Sequence, residues 1–571
     1  MRPTLIALGV TLIASVSHAQ AHSFTLAGAA GDWFGGAYAS VGDYDGDGRP
    51  DFAIGAEHAD GLQPDSGVVR IVSTGTGTVV REFQGVHTGD RFGAAVAAIS
   101  DITGDGVIEL VVGAPGFDYT STVLDGGRAY LLNGATGAAI YTSTYSVAGS
   151  QLGAAVAAIG DVTGDGFIDY SVGVPYADIS APDAGSVYLH NGFSGFWFHV
   201  IQGENAGDHF GASIASAGKF TFVDSVPDLA VGAPDFDTGS GQFSRGKVYV
   251  YSGVAPYSLY WSFTGSENFG KFGATLAGGG DVNGDGWDDL VVGEPFSDVN
   301  GSNSGRVRVF TGGIVTTLYD LPGGAAQDTF GSALAILGDT DGDGKDEFAI
   351  GSPLAEYLSY TDAGRVDVLR GSNGTVLGSV NGFANSGGLG QLVGAPGLVN
   401  ADSFADLVVG APYDTTAPAT GGHVQLYLLG VPNTTSFCTA KVNSLGCTPY
   451  IFSGGAPTHS IVDNFHIYAA QVVPQKSGLM IWSLSTNNVP LGGGTLCVHA
   501  PLARTTVQVS QYYNVGLCDA FYDYHMTQSY MAAHGLTPGV TFYAQYWSRD
   551  NGFAPPNNIG LTNGLQVVVF P

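Results

Sequence analysis

Sulfur, positive charge and long apolar runs are all scarce in this chain of 571 residues, which has 4 Cys, 4 Met and 19 Lys plus Arg against 50 Asp plus Glu. A net charge of −31 leaves no basic face for a polyphosphate, so no nucleic acid and no anionic membrane is expected as a partner. Beyond the N-terminus no apolar stretch approaches the ~20 residues needed to cross a bilayer, so no membrane span is expected. Helical periodicity is nearly absent, which turns the fold class toward β. Neither His-Glu-x-x-His nor a glycine-rich phosphate loop occurs, so zinc hydrolysis and phosphoryl transfer lack a platform and the expectation is a binding protein, not an enzyme. Glycine is what abounds, with 89 residues, in a chain apolar enough to fold compactly.

Residues 1–19 read as a secretory signal peptide. Arg2 precedes an apolar stretch from Leu5 to Val16, and small residues at Ser17 and Ala19 suit cleavage after Ala19, with Ala21 as second choice. The mature protein is therefore expected to be secreted, either extracellular or at the cell surface. Cys438, Cys447, Cys497 and Cys518 all lie near the C-terminus, and an oxidising compartment favours two disulfides with three connectivities. Loop length favours Cys438–Cys447 and Cys497–Cys518.

The stretch GDYDGDGRPDFAIGA, residues 42–56, spaces acids as D-x-D-x-D-G-x-x-D and runs into an apolar strand. Oxygen ligands at alternate positions, a glycine for a sharp turn and a terminal carboxylate are what a calcium loop needs, although an EF-hand closes three residues later and between helices. The pattern returns from Asp101 to Glu109, Asp161 to Asp169, Asp281 to Asp289 and Asp339 to Glu347. Weaker copies begin at Phe220 and Leu398, and the seven first positions are 58 to 61 residues apart. Each unit opens with an aromatic or Leu before Gly, as in Phe92-Gly93 and Leu152-Gly153, followed by small residues. After the acidic loop comes a strand ending in Gly-Ala-Pro or a variant, as at Gly113 to Pro115, then two further alternating strands.

Four short strands repeated at a fixed period make a β-propeller blade. The fold is expected to be all-β, a seven-bladed β-propeller over residues 22–430, then a linker at 431–435 and a small β-sandwich-like domain over 436–571 that holds the cysteines. The strand SFTLAG at 23–28 is expected to close the ring against the last unit. Phe220, Phe222 and Leu398 stand where ligands are lost, so loops four and seven are expected to be held by apolar packing. Stacking between neighbours predicts that the loops act as independent sites.

Aromatic-Gly, acidic loop and Gly-Ala-Pro in fixed order are the marks of FG-GAP repeats, and the array resembles the propeller head of integrin alpha subunits over roughly 410 residues. That resemblance implies Ca²⁺ in about five loops. First-position ligands would be Asp43, Asp101, Asp161, Asp281 and Asp339; third-position ligands Asp45, Thr103, Thr163, Asn283 and Asp341; fifth-position ligands Asp47, Asp105, Asp165, Asp285 and Asp343. The seventh residues, Arg49, Val107, Phe167, Trp287 and Lys345, would offer backbone carbonyls, and Asp51, Glu109, Asp169, Asp289 and Glu347 would close the loops. Loops with Thr or Asn at position three are expected to bind more weakly. The resemblance also implies adhesion, with an extracellular protein or glycan as ligand, and a monomer is the expected state. A secreted hydrolase or a carbohydrate-binding protein built on the same scaffold is the alternative.

Other candidates are fewer. The opposite face carries Tyr119, Tyr176, Phe236, Tyr357 and Tyr413. In the last domain Tyr512, Tyr513, Tyr522, Tyr543, Tyr546 and Trp547 could stack on a sugar, and His459, His466, His499 and His525 accompany Asp463 and Asp519 without fixed spacing. FCTAKVNSLGCTP resembles the opening of a C-terminal module of secreted bacterial proteins.

Overall fold

The computed structural model describes residues 21–569 except 223, 238, 240–242, 358, 383, 401–403, 415–420, 430–433, 455–464, 512–519, 538–539 and 556. The expected signal peptide lies outside the described residues. Seven four-stranded antiparallel sheets follow one another along the chain. In the second blade the strands are Ala95–Ala98, Leu110–Ala114, Arg128–Leu132 and Ala139–Thr144. The second strand of each blade lies between two others and is covered on both faces. It therefore reads as a continuous β-branched and apolar run, as in Leu-Val-Val-Gly-Ala, every residue of which is buried.

The ring closes as expected. Ala21–Ala27 pairs antiparallel with His423–Leu428, from Ala21 opposite Leu428 to Ala27 opposite His423, and so becomes the outer strand of the seventh blade. The inner strands touch in order around the ring, and Leu392–Gly394 of the seventh blade touches Ala37–Gly42 of the first. Apolar cores lie between blades. Ile71 and Phe83 of the first pack with Val96, Leu110 and Val112 of the second, and Phe34 and Phe52 pack with Val408, Val424 and Leu426 where the circle closes.

The repeated glycines mark a contact between blades. A Cβ on Gly113, in the second blade, would sit 1.9 Å from the carbonyl oxygen of Gly153, which opens the third. Gly351 meets Gly390 in the same way at 2.0 Å, and at the closure Gly410 meets Gly35 at 2.6 Å. The glycine of each Gly-Ala-Pro is thus fitted to the glycine after the aromatic residue of the next blade, where backbones approach too closely for any side chain. The aromatic or leucine beside it is buried in every blade, from Phe34 to Leu389.

The last domain packs two sheets face to face. One has the order Thr434–Phe437, Gly564–Val568, Thr541–Arg549, Ser477–Ser483 and Ala503–Arg504; the other joins Tyr450–Gly454, His466–Val472 and Ala520–His525. Ile467 and Tyr522 from one sheet meet Met480, Phe542 and Leu565 from the other in a single core. Thr434 and Thr435, read as the end of the linker, already belong to the first sheet. The expected disulfide pairing is corrected: Cys438 bonds Cys497, 59 residues away, with Cα atoms 6.0 Å apart. Cys438 follows the edge strand directly and Cys497 is buried on Gly494–Val498, whereas Cys447 sits in its own turn, its N–H donating to Asn443 Oδ1 at 3.1 Å. Cys447 is also disulfide-bonded, and Cys518 lies outside the described residues.

Gly113→Ala should destabilise the propeller by about 1–3 kcal/mol, because its methyl meets a backbone carbonyl that no rotamer can move. Gly36→Ala, whose nearest new neighbour would be 3.6 Å away, should change little. Urea unfolding compares the two variants, and equal midpoints would refute the blade-contact role of the glycines.

Candidate functional site

All the acidic loops join the first and second strands of their blades, so they line one end of the ring. The first aspartate folds each of the five intact loops over its glycines. Asp43 Oδ1 accepts from the N–H of Gly46 at 2.8 Å and Oδ2 from that of Gly48 at 2.9 Å. Asp101, Asp161, Asp281 and Asp339 repeat this pair of bonds. Both glycines have positive φ, 82° and 89° in the first loop, so the alternating glycines let the chain curl around one carboxylate. The fifth residue accepts the N–H of the seventh, as Asp285 does from Trp287 at 3.0 Å.

Convergence differs among the loops. Ligand oxygens of Asp43, Asp45 and Asp51 lie within 4.8 Å of one another, as do those of Asp339, Asp341 and Glu347. These are the two intact loops with a carboxylate at position three. In the second and third blades an asparagine at the next hairpin fills part of the cradle. Asn133 Nδ2 donates to Thr103 Oγ1 at 2.9 Å and Asp105 Oδ2 at 2.7 Å, and Asn191 does the same to Thr163 and Asp165. In the sixth, Arg370 Nε donates to Asp341 Oδ2 at 3.0 Å. These three partners lie outside the nine-residue motif, and sequence spacing gave no signal for them.

The donor set fits a hard divalent cation. Glu109 Oε1, Asn283 Oδ1 and Asp341 Oδ1 are buried oxygens with no hydrogen-bond donor among the described residues. All three belong to the third or ninth positions, where oxygen ligands for calcium are required. Burial also pushes the ninth-position acids up, Asp51 to about 6, Asp289 to about 7 and Glu347 to about 7. A buried carboxylate in that state is stabilised by a proton or by a cation.

The ninth position has a second task that the motif alone did not reveal. In five blades its far oxygen accepts from a backbone N–H at the turn between the third and fourth strands, and in the seventh from the residue just past the third strand. Asp51 takes Thr74 N at 2.9 Å, Asp169 takes Gly192 N at 2.8 Å and Glu347 takes Gly371 N at 3.3 Å. Its near oxygen accepts from the start of its own loop, as from Tyr44 N at 3.0 Å. Loops four and seven keep both bonds. Asp228 accepts from Thr221 N at 2.7 Å and Gly253 N at 3.4 Å, and Asp406 from Val399 N at 2.8 Å and Leu429 N at 2.9 Å. Persistence of an acid at position nine where the first position is apolar was the available clue.

The apolar substitutions themselves behave unequally. Phe220 is fully buried among Ala217, Val250 and Leu290, but Phe222 is 67% exposed and Leu398 50% exposed. Phe222 and Leu398 therefore do not supply the expected packing. In the seventh loop Val399, next to Leu398, is buried, while Asp402 lies outside the described residues.

On the opposite end Tyr119, Tyr176 and Tyr413 are exposed, Tyr357 is half-buried and Phe236 is buried. Trp33, not singled out from the sequence, stands exposed with its ring edge-on to Tyr413 at 5.1 Å. Tyr176 lies 4.6 Å from His209, which bonds Asp235 at 2.8 Å. The last domain offers less than its composition suggested. Tyr522 and Tyr546 are core residues stacked on each other at 5.3 Å, and Tyr512, Tyr513, His459, Asp463 and Asp519 lie outside the described residues. His466 bonds Asp523 at 2.6 Å and stacks on His525 at 4.4 Å. Among the described residues these three do not bring their ligand atoms together as a metal-ligating group.

Asp406→Ala should cost about 3 kcal/mol, since it strands two buried N–H groups in a loop whose first ligand position is a leucine. Denaturant unfolding in EDTA measures this with metal binding removed, and a loss below ~0.5 kcal/mol would refute the locking role.

Comparison with known proteins places the repeats. The FG-GAP repeat family matches residues 36–79, 92–132, 272–310 and 330–369. Integrin alpha-5 of Xenopus laevis is 32% identical over 160 residues, covering 27% of this chain and 15% of that protein. Integrin alpha-8 of Homo sapiens is 32% identical over 170 residues, covering 28% and 15%, and integrin alpha-4 of Xenopus laevis 29% identical over 287 residues, covering 47% and 26%. The matches thus span about a quarter or less of these relatives. No helix among the described residues is long and apolar enough to cross a membrane. The chain carries FG-GAP repeats, and its propeller is integrin-alpha-like.

Proposed function

We propose that this is a secreted, calcium-stabilised propeller that binds an extracellular macromolecule, protein or glycan, without catalysing a reaction on it. The observation that carries the calcium part is the set of buried, donor-less oxygens at Glu109, Asn283 and Asp341, each at a ligand position of an intact loop. Five loops would hold one ion each, through side chains at positions one, three, five and nine. The cations would rigidify one end of the ring, and the ring would hold the loops of the other end in place. Trp33, Tyr119, Tyr176 and Tyr413 stand exposed there, in the turns that flank the strands, and offer large aromatic contact area. Family resemblance supports adhesion as the role, as an argument by analogy.

EDTA should lower the unfolding temperature of the full chain, each site contributing about 2.7 kcal/mol when calcium is 100-fold above its dissociation constant. Native mass spectrometry should count five calcium ions. An unchanged melting curve, with no calcium in the purified protein, would sink the metal assignment. Binding is tested with labelled full-length chain on the native cell surface: Trp33→Ala with Tyr413→Ala should reduce capture at least tenfold while leaving the melting temperature near wild type. Undiminished capture would exclude that face.

A further inference from the structure

At four junctions neighbouring acidic loops touch through the eighth residue, which packs against the glycine that ends the inner strand of the preceding blade: Pro227 would meet a Cβ on Gly160 at 2.5 Å and Ala405 one on Gly338 at 3.7 Å. At two junctions the eighth residue is an aspartate and the contact becomes a pair of hydrogen bonds. Asp346 of the sixth loop donates its N–H to the carbonyl of Asp281 at 3.0 Å, and its Oδ2 accepts the N–H of Asp281 at 2.9 Å. Asp288 of the fifth loop makes the same double bridge to Lys219, at 3.1 and 2.6 Å. Side-chain room for these carboxylates exists only because Gly280 and Gly218 lack a Cβ, which would stand 2.6 and 2.1 Å from the respective Oδ2 atoms.

The two bridges differ in what they join. Asp288 ties an intact loop to the fourth blade, whose first position is Phe220. Asp346 ties two intact loops together, and it grips Asp281, the first ligand residue of the fifth loop. Lys345 and Glu347, on either side of Asp346, are ligand positions of the sixth. Anything that fixes those two residues fixes Asp346, and anything that fixes Asp346 orders the backbone of Asp281.

We infer that Asp346 is a positioning residue that couples the fifth and sixth cation sites, so that filling the sixth loop raises the affinity of the fifth. The inference rests on the calcium reading above and replaces the expectation of independent loops at this junction. Ordering the sixth loop lowers the entropy that the fifth must lose on binding, which produces cooperativity without a change of shape. The Asp346 carboxylate adds a negative charge beside the fifth site. Coupling is reciprocal, so filling the fifth loop strengthens the sixth by the same factor.

Trp287 supplies a local probe, because among the intact loops only the fifth contains a tryptophan. Terbium added to the calcium-free full-length chain should give tryptophan-sensitised emission from this loop, and Trp287→Phe should abolish that component. In Asp343→Ala, which disables the sixth loop but leaves Asp346 and its bridge intact, the midpoint of that emission should rise about 5–10-fold. Asp346→Ala should raise it at least as much, Asp346→Asn less, and the double variant Asp343→Ala with Asp346→Ala no further than Asp346→Ala alone. An unshifted midpoint in Asp343→Ala, or fully additive shifts in the double variant, would overturn the coupling. Absence of Trp287-dependent emission in the wild-type chain, together with no bound calcium by mass spectrometry, would instead reject the calcium reading on which it rests.

Discussion

The ninth-position carboxylate is the interaction on which the rest of the propeller depends. It is buried in every blade, from Asp51 to Asp406, and it begins the second strand or stands immediately before it. One oxygen holds the start of its own loop and, in five blades, the other holds the turn that leads to the outer strand. A single side chain therefore sets the depth of the acidic loop and the position of the outer hairpin together. Charge-assisted bonds to backbone N–H groups are strong when water is excluded. The ligand oxygens at positions one, three and five are placed by a backbone already fixed at its far end.

A division of labour follows from this. Loss of the first-position aspartate removes a metal ligand but leaves the lock in place, and the fourth and seventh blades keep the same four-stranded form as the others. Phe220 replaces the ligand with core packing. In the seventh loop Leu398 stays half in solvent, and the buried contact passes to Val399, whose N–H is bound by Asp406. Second-position residues such as Val282 and Val399 are thus apolar anchors of these turns, and Phe220 is the one first-position side chain that is buried.

Much of this was legible because the repeats superpose several constraints on the same residues. Glycines that meet across blades, buried strands and acidic turns recur with a fixed period, so the ring, its seven units and the closing strand at Ala21–Ala27 could be read directly. What escaped were relations between residues with no fixed spacing. Asn133, Asn191 and Arg370 reach the loops from the turns just past the third strands, and Asp346 reaches across a blade boundary. Phe222 was misplaced because a tight turn does not follow the alternation of a strand. In the last domain the parity of Ala520–His525 turns Tyr522 into the core and Asp523 outward, and Tyr546 is interior as well, while Tyr543 and Trp547 are half-buried. The Cys438–Cys497 bond joins elements brought together by sheet topology, which loop-length arguments do not sense.

Electrostatics makes the fold conditional on its surroundings. Nineteen of the 50 acidic residues belong to the five intact loops, so charge is concentrated where the backbone curls most tightly. Neutralising such a cluster by protons would require occupying the buried ninth positions first, because burial has already raised them. A proton on that carboxylate would weaken its bonds to the backbone donors that define the loop. A divalent cation neutralises the same cluster while leaving the carboxylate ionised and its hydrogen bonds intact. The two forms of neutralisation are therefore not equivalent for this architecture: one relieves repulsion at the expense of the lock, and the other relieves it while preserving the lock. On the proposed calcium reading, such loops would hold their shape at neutral pH in a medium that supplies the cation, because there the ninth-position carboxylates would stay ionised.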